Sequence, residues 1–400
     1  MGLGVIEGRN IVCFASNWFY DPTSKHHVMR LLSERNHVVW VNYHGSRRPR
    51  LSGADAGAIV AKLRQFAEGP RRVAENITVI TPLVVPIPGN RAVAALNRRL
   101  LTRQIHGVLR GLPDRPVQVW SFAPDVDYMC GRFDEECVVY YCVDEFSEFS
   151  AYDAARTLAA ERRLAERADL VITTSQTLYE AKRDLNENVV LVTHGVDYGH
   201  FTQATSAELT VPEEIAELSG PVLGFWGLIQ DWFDVGLVAE VARARPQWSI
   251  VLIGEVATDV SVLSGLTNVH LLGRRAYDGL PAYAKGFDVG LIPFRVNALT
   301  RAVNPIKLRE YLSAGLPVVA TALPEVRRYD DWVRIADDAA GFVQACEQVL
   351  TADSAERGFS AQRSQEMAMR QAAMRSETWR AKLVEISEHV GCLAGVSSSR

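Results

Sequence analysis

Short, β-branched apolar runs alternate with helical stretches along the whole chain, and the alternation predicts an α/β protein of two Rossmann-like domains facing a central cleft. Two further observations support this. The alternation comes as two separate series, and the strand-like runs end in Gly, Pro or a small polar residue, as loops at the carboxyl edge of a parallel sheet begin. The 400 residues also exceed what one hydrophobic core usually serves. The expected division is an amino-terminal domain over 1–205, a second domain over 206–370, and a helix over 371–400 that packs back across the domain junction.

The first series opens with NIVCFA (Asn10–Ala15), passes through a helix after Ser24, and continues with HVVWVNY (His37–Tyr43). VQVWSF, CVVYYCV, DLVITTS and NVVLVTHGV follow, the last ending near Val196. Thr202 to Gly220 is polar, acidic and rich in breakers, so it reads as the interdomain linker. The second series restarts with VLGFWG (Val222–Gly227) and runs through SIVLIG, NVHLLG, VGLIPF and PVVAT. A closing helix is expected from about Ala361 to Val390.

Charge is nearly balanced overall but unevenly spread: residues 1–115 hold about 17 Lys and Arg against about 7 Asp and Glu. The first domain therefore has a basic face. Within it, RAVAALNRRLLTRQIHGVLR sets Leu96, Leu100 and Leu101 beside Arg98, Arg99 and Arg103, an amphipathic helix that either packs on the core or touches an anionic membrane surface. No nucleic-acid-binding motif accompanies the charge. No apolar run reaches the roughly 20 residues needed to span a bilayer. The six cysteines lack CxxC pairs or nearby His, which argues against a zinc site and against a disulfide framework. A cytoplasmic protein is expected, with peripheral contact at the inner face of the membrane as an option.

The stretch NPIKLREYLSAGLPVVAT (Asn304–Thr321) carries the chemistry. Asn304 reads as a helix N-cap, Pro305 as the first helical residue, Gly315 as the glycine after the helix, and Val318–Thr321 as a buried strand. Lys307 then lies at the positive end of the helix, which costs roughly 0.3–1 kcal/mol unless an anion is near. Lys307 and Glu310 share one face, while Leu308, Tyr311 and Leu312 form an apolar stripe beside it. From periodicity alone the polar pair is as well explained by a surface ion pair as by a binding site.

The segment PIKLREYLSAGLPVVATALPEV resembles the donor-binding segment of GT-B glycosyltransferases of the bacterial family 1/family 4, or group 1, type. GFWGLIQDWFD, HLLGRRAYDGLPAYAKGFDVGLIPF and VTHGVD extend the resemblance over most of the chain. It implies a nucleotide-diphosphate sugar donor, with Glu310 at the position of the helix glutamate that binds the ribose. Two departures stand out. Ala302 replaces the earlier glutamate of the retaining enzymes, and Gln230, Asp231 and Trp232 stand where an Arg/Lys pair commonly follows the first strand of the second domain. Arg301 and Lys307 beside the helix, and Arg274 on another loop, are then the cations for the diphosphate, with Asn304 and Gly227 completing the donor-side candidates. Such chemistry requires neither cofactor nor metal in this fold, because helix dipoles and cations can stabilise the leaving phosphate. Asp125-Val126-Asp127 resembles the metal-binding DxD of another glycosyltransferase fold and is read as a solvated turn.

Asp144, in YYCVDEFSEF, follows an apolar run expected to be a central strand and precedes a loop. It is either a partly desolvated general base or the N-cap of the next segment. By resemblance, the position holds His in many retaining relatives and a base aspartate in an inverting GT-B glucuronosyltransferase. Asn17, Lys25, His26 and His194 are candidates for the acceptor side or the cleft, although adjacent His26 and His27 cannot share a helix face. The reading is a glycosyltransferase that moves a sugar to a hydroxyl of a glycan, lipid-linked or related acceptor, in bacterial polysaccharide or glycoconjugate synthesis. A nucleotide-sugar epimerase on the same fold, or a non-catalytic partner subunit, is the alternative.

Overall fold

The computed structural model describes residues 6–43, 66, 68–82, 91–353 and 361–397. The chain forms two compact units, Met1–Thr193 with Lys382–Arg400, and His194–Ala381.

In the first unit eight strands form one sheet: β1 (Asn10–Ala15), β2 (His37–Asn42), β3 (Arg71–Ala74), β4 (Ile77–Ile80), β5 (Val117–Ser121), β6 (Cys137–Cys142), β7 (Leu170–Thr173) and β8 (Val189–Leu191). Their order is β3-β4-β2-β1-β5-β6-β7-β8. Every pairing is parallel except β3 with β4. β1 and β6 are buried along their whole length, as strands covered by helices on both faces must be. The direction of strand winding reverses between β1 and β5, which makes their carboxyl ends the place where a ligand is expected. The β3–β4 hairpin was not legible in the sequence, because exposed arginines occupy β3 and obscure the alternation.

The second unit repeats the plan with β9 (Val222–Trp226), β10 (Ser249–Ile253), β11 (Val269–Gly273), β12 (Val289–Ile292), β13 (Val318–Thr321) and β14 (Val333–Ala336). The order β11-β10-β9-β12-β13-β14 is the doubly wound 3-2-1-4-5-6 arrangement, parallel throughout. Here the winding reverses between β9 and β12. The edge strand β14 is short and went unread in the sequence.

Three expectations change. Thr202–Gly220 is not a bare linker: it belongs to the second unit, with Ala204 and Ile215 in that unit's core. Lys285 Nζ also donates to the carbonyls of Ser206 and Leu209 at 2.7 and 2.6 Å. The division accordingly falls at Thr193/His194. The closing helix is two helices, Ala361–Met374 and Trp379–Ser397, because the chain between them leaves the helix to bridge Val196. Val196 N–H donates to Glu377 C=O at 2.8 Å. Finally, the helix before β13 begins one residue later than expected, over Ile306–Ser313 with Pro305 as N-cap, so Asn304 does not cap it.

Gly315 ends that helix as the sequence suggests, with φ +83. A Cβ there would stand 2.3 Å from Met367 Cγ. Gly315→Ala should therefore lower the unfolding free energy by at least about 1 kcal/mol, combining left-handed strain with the contact. An unchanged urea midpoint and slope would contradict this account of the helix end.

Candidate functional site

At the winding reversal of the second unit, β9 ends at Trp226 and Gly227. Gly227 has φ +137, and a Cβ on it would lie 2.1 Å from Lys307 Cε and 2.6 Å from Lys307 Nζ. Lys307 thus lies in space that only glycine leaves open. Its ammonium is 5.9 Å from the centre of the Phe225 ring. One turn further along the same helix, Glu310 is buried and accepts a 2.8 Å hydrogen bond from Trp226 Nε1. Burial raises its pKa, and Asp197 adds to this, while Lys307, the Trp226 bond and His200 pull it down.

Aromatic packing fixes this corner. Trp226 stacks on Phe201 with ring centres 5.8 Å apart and meets Tyr311 edge-on at 4.3 Å. His200 stacks on Tyr277 at 4.6 Å and its Nε2 lies 3.1 Å from the Tyr277 carbonyl. Asp197 accepts from the His200 backbone N–H at 3.2 Å and so caps the Tyr198–Phe201 turn. Trp226, Asp197 and His200 escaped the sequence analysis, although Asp197 lies in the VTHGVD stretch.

The remaining donor-side candidates differ in their surroundings. Asn304 is buried with its amide engaged: Nδ2 donates to Glu325 Oε2 at 3.0 Å and Oδ1 accepts from Arg309 Nη1 at 2.6 Å. Its side chain lies inside a buried polar network. Arg309, fully buried, also reaches Glu377 at 3.3 Å and lies 5.1 Å over the Tyr329 ring. Arg309 therefore ties the Glu310 helix to the Glu325 loop and the Glu377 turn, and a periodicity argument had no way to single it out. Arg301 is exposed at the end of the Ala298–Arg301 turn, and Arg274 is exposed just after the edge strand β11. Ala302 is buried.

In the first unit the loop after β6 carries Asp144. Its carboxyl is pushed up to about 7 by burial, with Glu145 adding to the shift and Lys25 opposing it. Lys25, in the first turn of the Ser24–Leu32 helix, is shifted down by burial against the pull of Asp144 and Cys13. The fold thus brings Lys25 and Asp144 into electrostatic contact. Asp144 caps no helix: the next short helix starts after Glu145 without a side-chain cap, and Asp153 caps the one beyond. The loop is anchored from behind by Lys182, which reaches Glu161 at 2.7 Å and Glu145 at 3.2 Å. Tyr140 donates to Glu161 at 2.5 Å and Ser147 to Glu145 at 2.6 Å.

Asn17, at the carboxyl end of β1, accepts from the Phe19 N–H at 3.1 Å in a local turn. His26 is a core residue. Its Nδ1 accepts from Thr23 N–H at 3.2 Å, which leaves Nε2 to donate to the Trp18 carbonyl at 3.2 Å. Burial, then Lys25 and Arg30, hold its pKa down to about 3, so it is neutral and both ring nitrogens are occupied. His194 belongs to the second unit and is buried against Trp379, ring centres 5.7 Å apart. Asp125 is buried rather than solvated, whereas Asp127 pairs with Arg163 at 2.7 Å. Among the described residues no group of His, Cys, Asp and Glu is arranged to hold a metal.

Comparisons with known proteins bear on the fold. Residues 220–352 match the family model described as Glycosyl transferases group 1. The TuaH protein of Bacillus subtilis (strain 168), named as a teichuronic acid biosynthesis glycosyltransferase, is 31% identical over 255 residues. That match covers 58% of this chain and 63% of TuaH, less than two thirds of its length. Sucrose-phosphate synthase from Thermosynechococcus elongatus superposes with a TM-score of 0.68 at 14% identity, over 97% of this chain and 100% of that one. Anabaena HepE in complex with UDP and glucose gives 0.64 at 16% identity, over 95% and 99%. These likenesses establish the two-domain GT-B fold.

A raised carboxyl pKa has a signed consequence for stability. Between the unfolded value near 4 and the folded value of about 7, the native state binds more protons at Asp144 than the unfolded state. Its contribution therefore favours folding below pH 4 and is lost as pH rises through 7. Asp144→Asn should raise the thermal midpoint relative to the native protein at pH 8 and leave it unchanged at pH 4. Equal midpoints at both pH values would mean that the carboxyl is not desolvated.

Proposed function

We propose, from the match of residues 220–352 to the model of the group 1 glycosyl transferases and the GT-B fold of the chain, that this protein transfers a sugar from a nucleoside diphosphate donor to a hydroxyl acceptor. The observation that carries the reading is the corner formed by Gly227, Lys307 and Glu310 at the winding reversal of the second unit. Lys307 supplies the positive charge for the diphosphate, and Glu310 accepts from the ribose hydroxyls with its orientation fixed by Trp226. Uridine is the base tried first, because HepE was crystallised with UDP.

Asp144 is assigned the general-base role. A carboxyl held near 7 is about half ionised at neutral pH and strong enough to take a proton from an attacking hydroxyl. The acceptor oxygen forms the new bond to the anomeric carbon as the bond to the diphosphate breaks, and charge gathers on the departing phosphate oxygen. A cation placed there beforehand stabilises that charge more in the transition state than in the ground state. Such a direct displacement inverts the anomeric centre. The naming of TuaH supports a bacterial polysaccharide as acceptor, and a lipid-linked precursor of one is the form proposed here. Among the described residues no helix is long and apolar enough to cross a membrane. The arginine-rich stretch 91–110 of the first unit, which holds no Asp or Glu, is suited to peripheral contact with an anionic lipid surface. Its helix Arg91–Leu109 buries Leu101 and Ile105 and exposes Leu96, Arg99 and Arg103.

The assignments separate experimentally. Glu310→Ala should weaken UDP binding by roughly 1.5–3 kcal/mol, the worth of a charge-assisted hydrogen bond. Lys307→Ala should weaken UDP while leaving uridine nearly unaffected, and equal losses for both ligands would point to a structural role. Asp144→Asn should keep donor affinity and lower turnover by roughly 10²–10⁴. Turnover of the native protein should rise with pH through about 7. Lys25→Met should move that rise to higher pH and Glu145→Gln to lower pH, since their charges act on Asp144 with opposite sign. Near-normal turnover of a folded Asp144→Asn protein would remove Asp144 from the mechanism.

A further inference from the structure

The first unit carries a second built surface at its carboxyl edge that the proposed mechanism leaves unused. The loop Asn17–Tyr20 leaves β1 and presents two large aromatic rings to solvent, Phe19 at 41% and Tyr20 at 56% exposure. The Arg71 guanidinium lies 5.1 Å over the Phe19 ring. β3 runs antiparallel to its neighbour, with Arg71 opposite Val79, so the start of β3 stands at the same sheet edge as the end of β1. Arg71 and Arg72 are exposed there.

The loop is held from below. Trp18 N–H donates to Asn42 Oδ1 at 2.8 Å, and Asn42 Nδ2 donates to Thr81 Oγ1 at 2.9 Å, a chain of bonds along the carboxyl ends of β1, β2 and β4. The Trp18 ring packs on His26 at 5.4 Å and on Trp40 at 4.9 Å. Phe19 and Tyr20 N–H groups both turn back on Asn17. This explains why His26 is buried and neutral: it is a strut of the loop. Two exposed aromatics on a braced loop have forgone the burial that apolar rings normally gain, and an already ordered loop spends little entropy when a ligand docks.

We propose that Phe19, Tyr20 and Arg71 form an acceptor subsite for a sugar that bears an anionic group. The rings offer flat apolar faces for the C–H side of a pyranose, and the guanidinium offers paired donors to a carboxylate or phosphate. The proposal rests on the glycosyltransferase reading only for the word acceptor. The binding surface itself is independent of that reading.

The test is calorimetric titration of the full chain with hyaluronan tetrasaccharide, with its carboxyl-reduced neutral counterpart, and with glucose 1-phosphate. UDP is titrated in parallel. The acidic tetrasaccharide should bind, the neutral one should bind about tenfold more weakly, and Phe19→Ala and Arg71→Ala should each weaken the acidic ligand about tenfold. Arg71→Ala should also abolish the preference for the acidic ligand, and neither change should alter UDP affinity. Competition by glucose 1-phosphate would assign the anion position to phosphate, and its failure would assign it to carboxylate. Both results support the subsite. Equal binding of acidic and neutral sugars, or undiminished binding by the variants, overturns it. So does binding confined to phosphatidylglycerol vesicles and lost in Phe19→Ala. Failure of UDP to bind, with the oligosaccharide results as expected, would refute the donor assignment and leave the subsite standing.

Discussion

The absence of a side chain at Gly227 is the constraint on which the donor side depends. β9 must end at the winding reversal, and whatever residue follows occupies the ground above it. With any Cβ there, Lys307 would have to leave, because the nearest approach would be 2.1 Å. With none, the lysine crosses the strand end and its charge lies in the electrostatic reach of Glu310. The two residues then act as a unit: the ammonium offsets part of the cost of a buried carboxylate, and the Trp226 indole fixes the direction in which that carboxylate can accept. A first-turn lysine that looks unfavourable against the helix dipole has the Glu310 carboxyl within its electrostatic reach, and under the proposal the donor diphosphate would supply the further negative charge.

Each unit backs its proposed working residue with a buried ionic network, and neither network is best understood as a source of stability. Buried pairs return little net free energy after desolvation, but losing one partner leaves a bare charge and costs several kcal/mol. What they do provide is a single geometry. Arg309 joins the Glu310 helix to Asn304 and Glu377, and Lys182 joins Glu161 to Glu145 beside Asp144. A loop so fixed can hold a carboxyl in a partly desolvated place that it would otherwise leave.

Much of this was readable in the sequence. The parallel strands announced themselves as β-branched runs ending in small residues, and the pairing of Lys307 with Glu310 followed from helical spacing. The misreadings share a cause. Spacing reports which face a residue occupies and says nothing of what lies opposite. His26 and Asn304 carry polar groups that suit ligands, but the structure satisfies them internally through Thr23 and Trp18 in one case and Glu325 and Arg309 in the other. Thr202–Gly220 has the composition of a linker, yet Ala204 and Ile215, with Val211 and Leu218 partly buried beside them, seat it on a core. Trp226 went unnoticed within the run VLGFWG, because its bond to Glu310, 84 residues away, has no local signature.

The central claim is that Gly227 and Lys307 serve one purpose, the seating of a diphosphate. A double-mutant cycle measures it: UDP titrations of Gly227→Ala, Lys307→Ala and the combined variant, each checked for folding by its thermal midpoint. If the glycine acts by making room for the lysine, each single change weakens UDP and the double variant is no weaker than Lys307→Ala alone. Losses that simply add, or a Gly227→Ala protein with native affinity for UDP, would contradict the account.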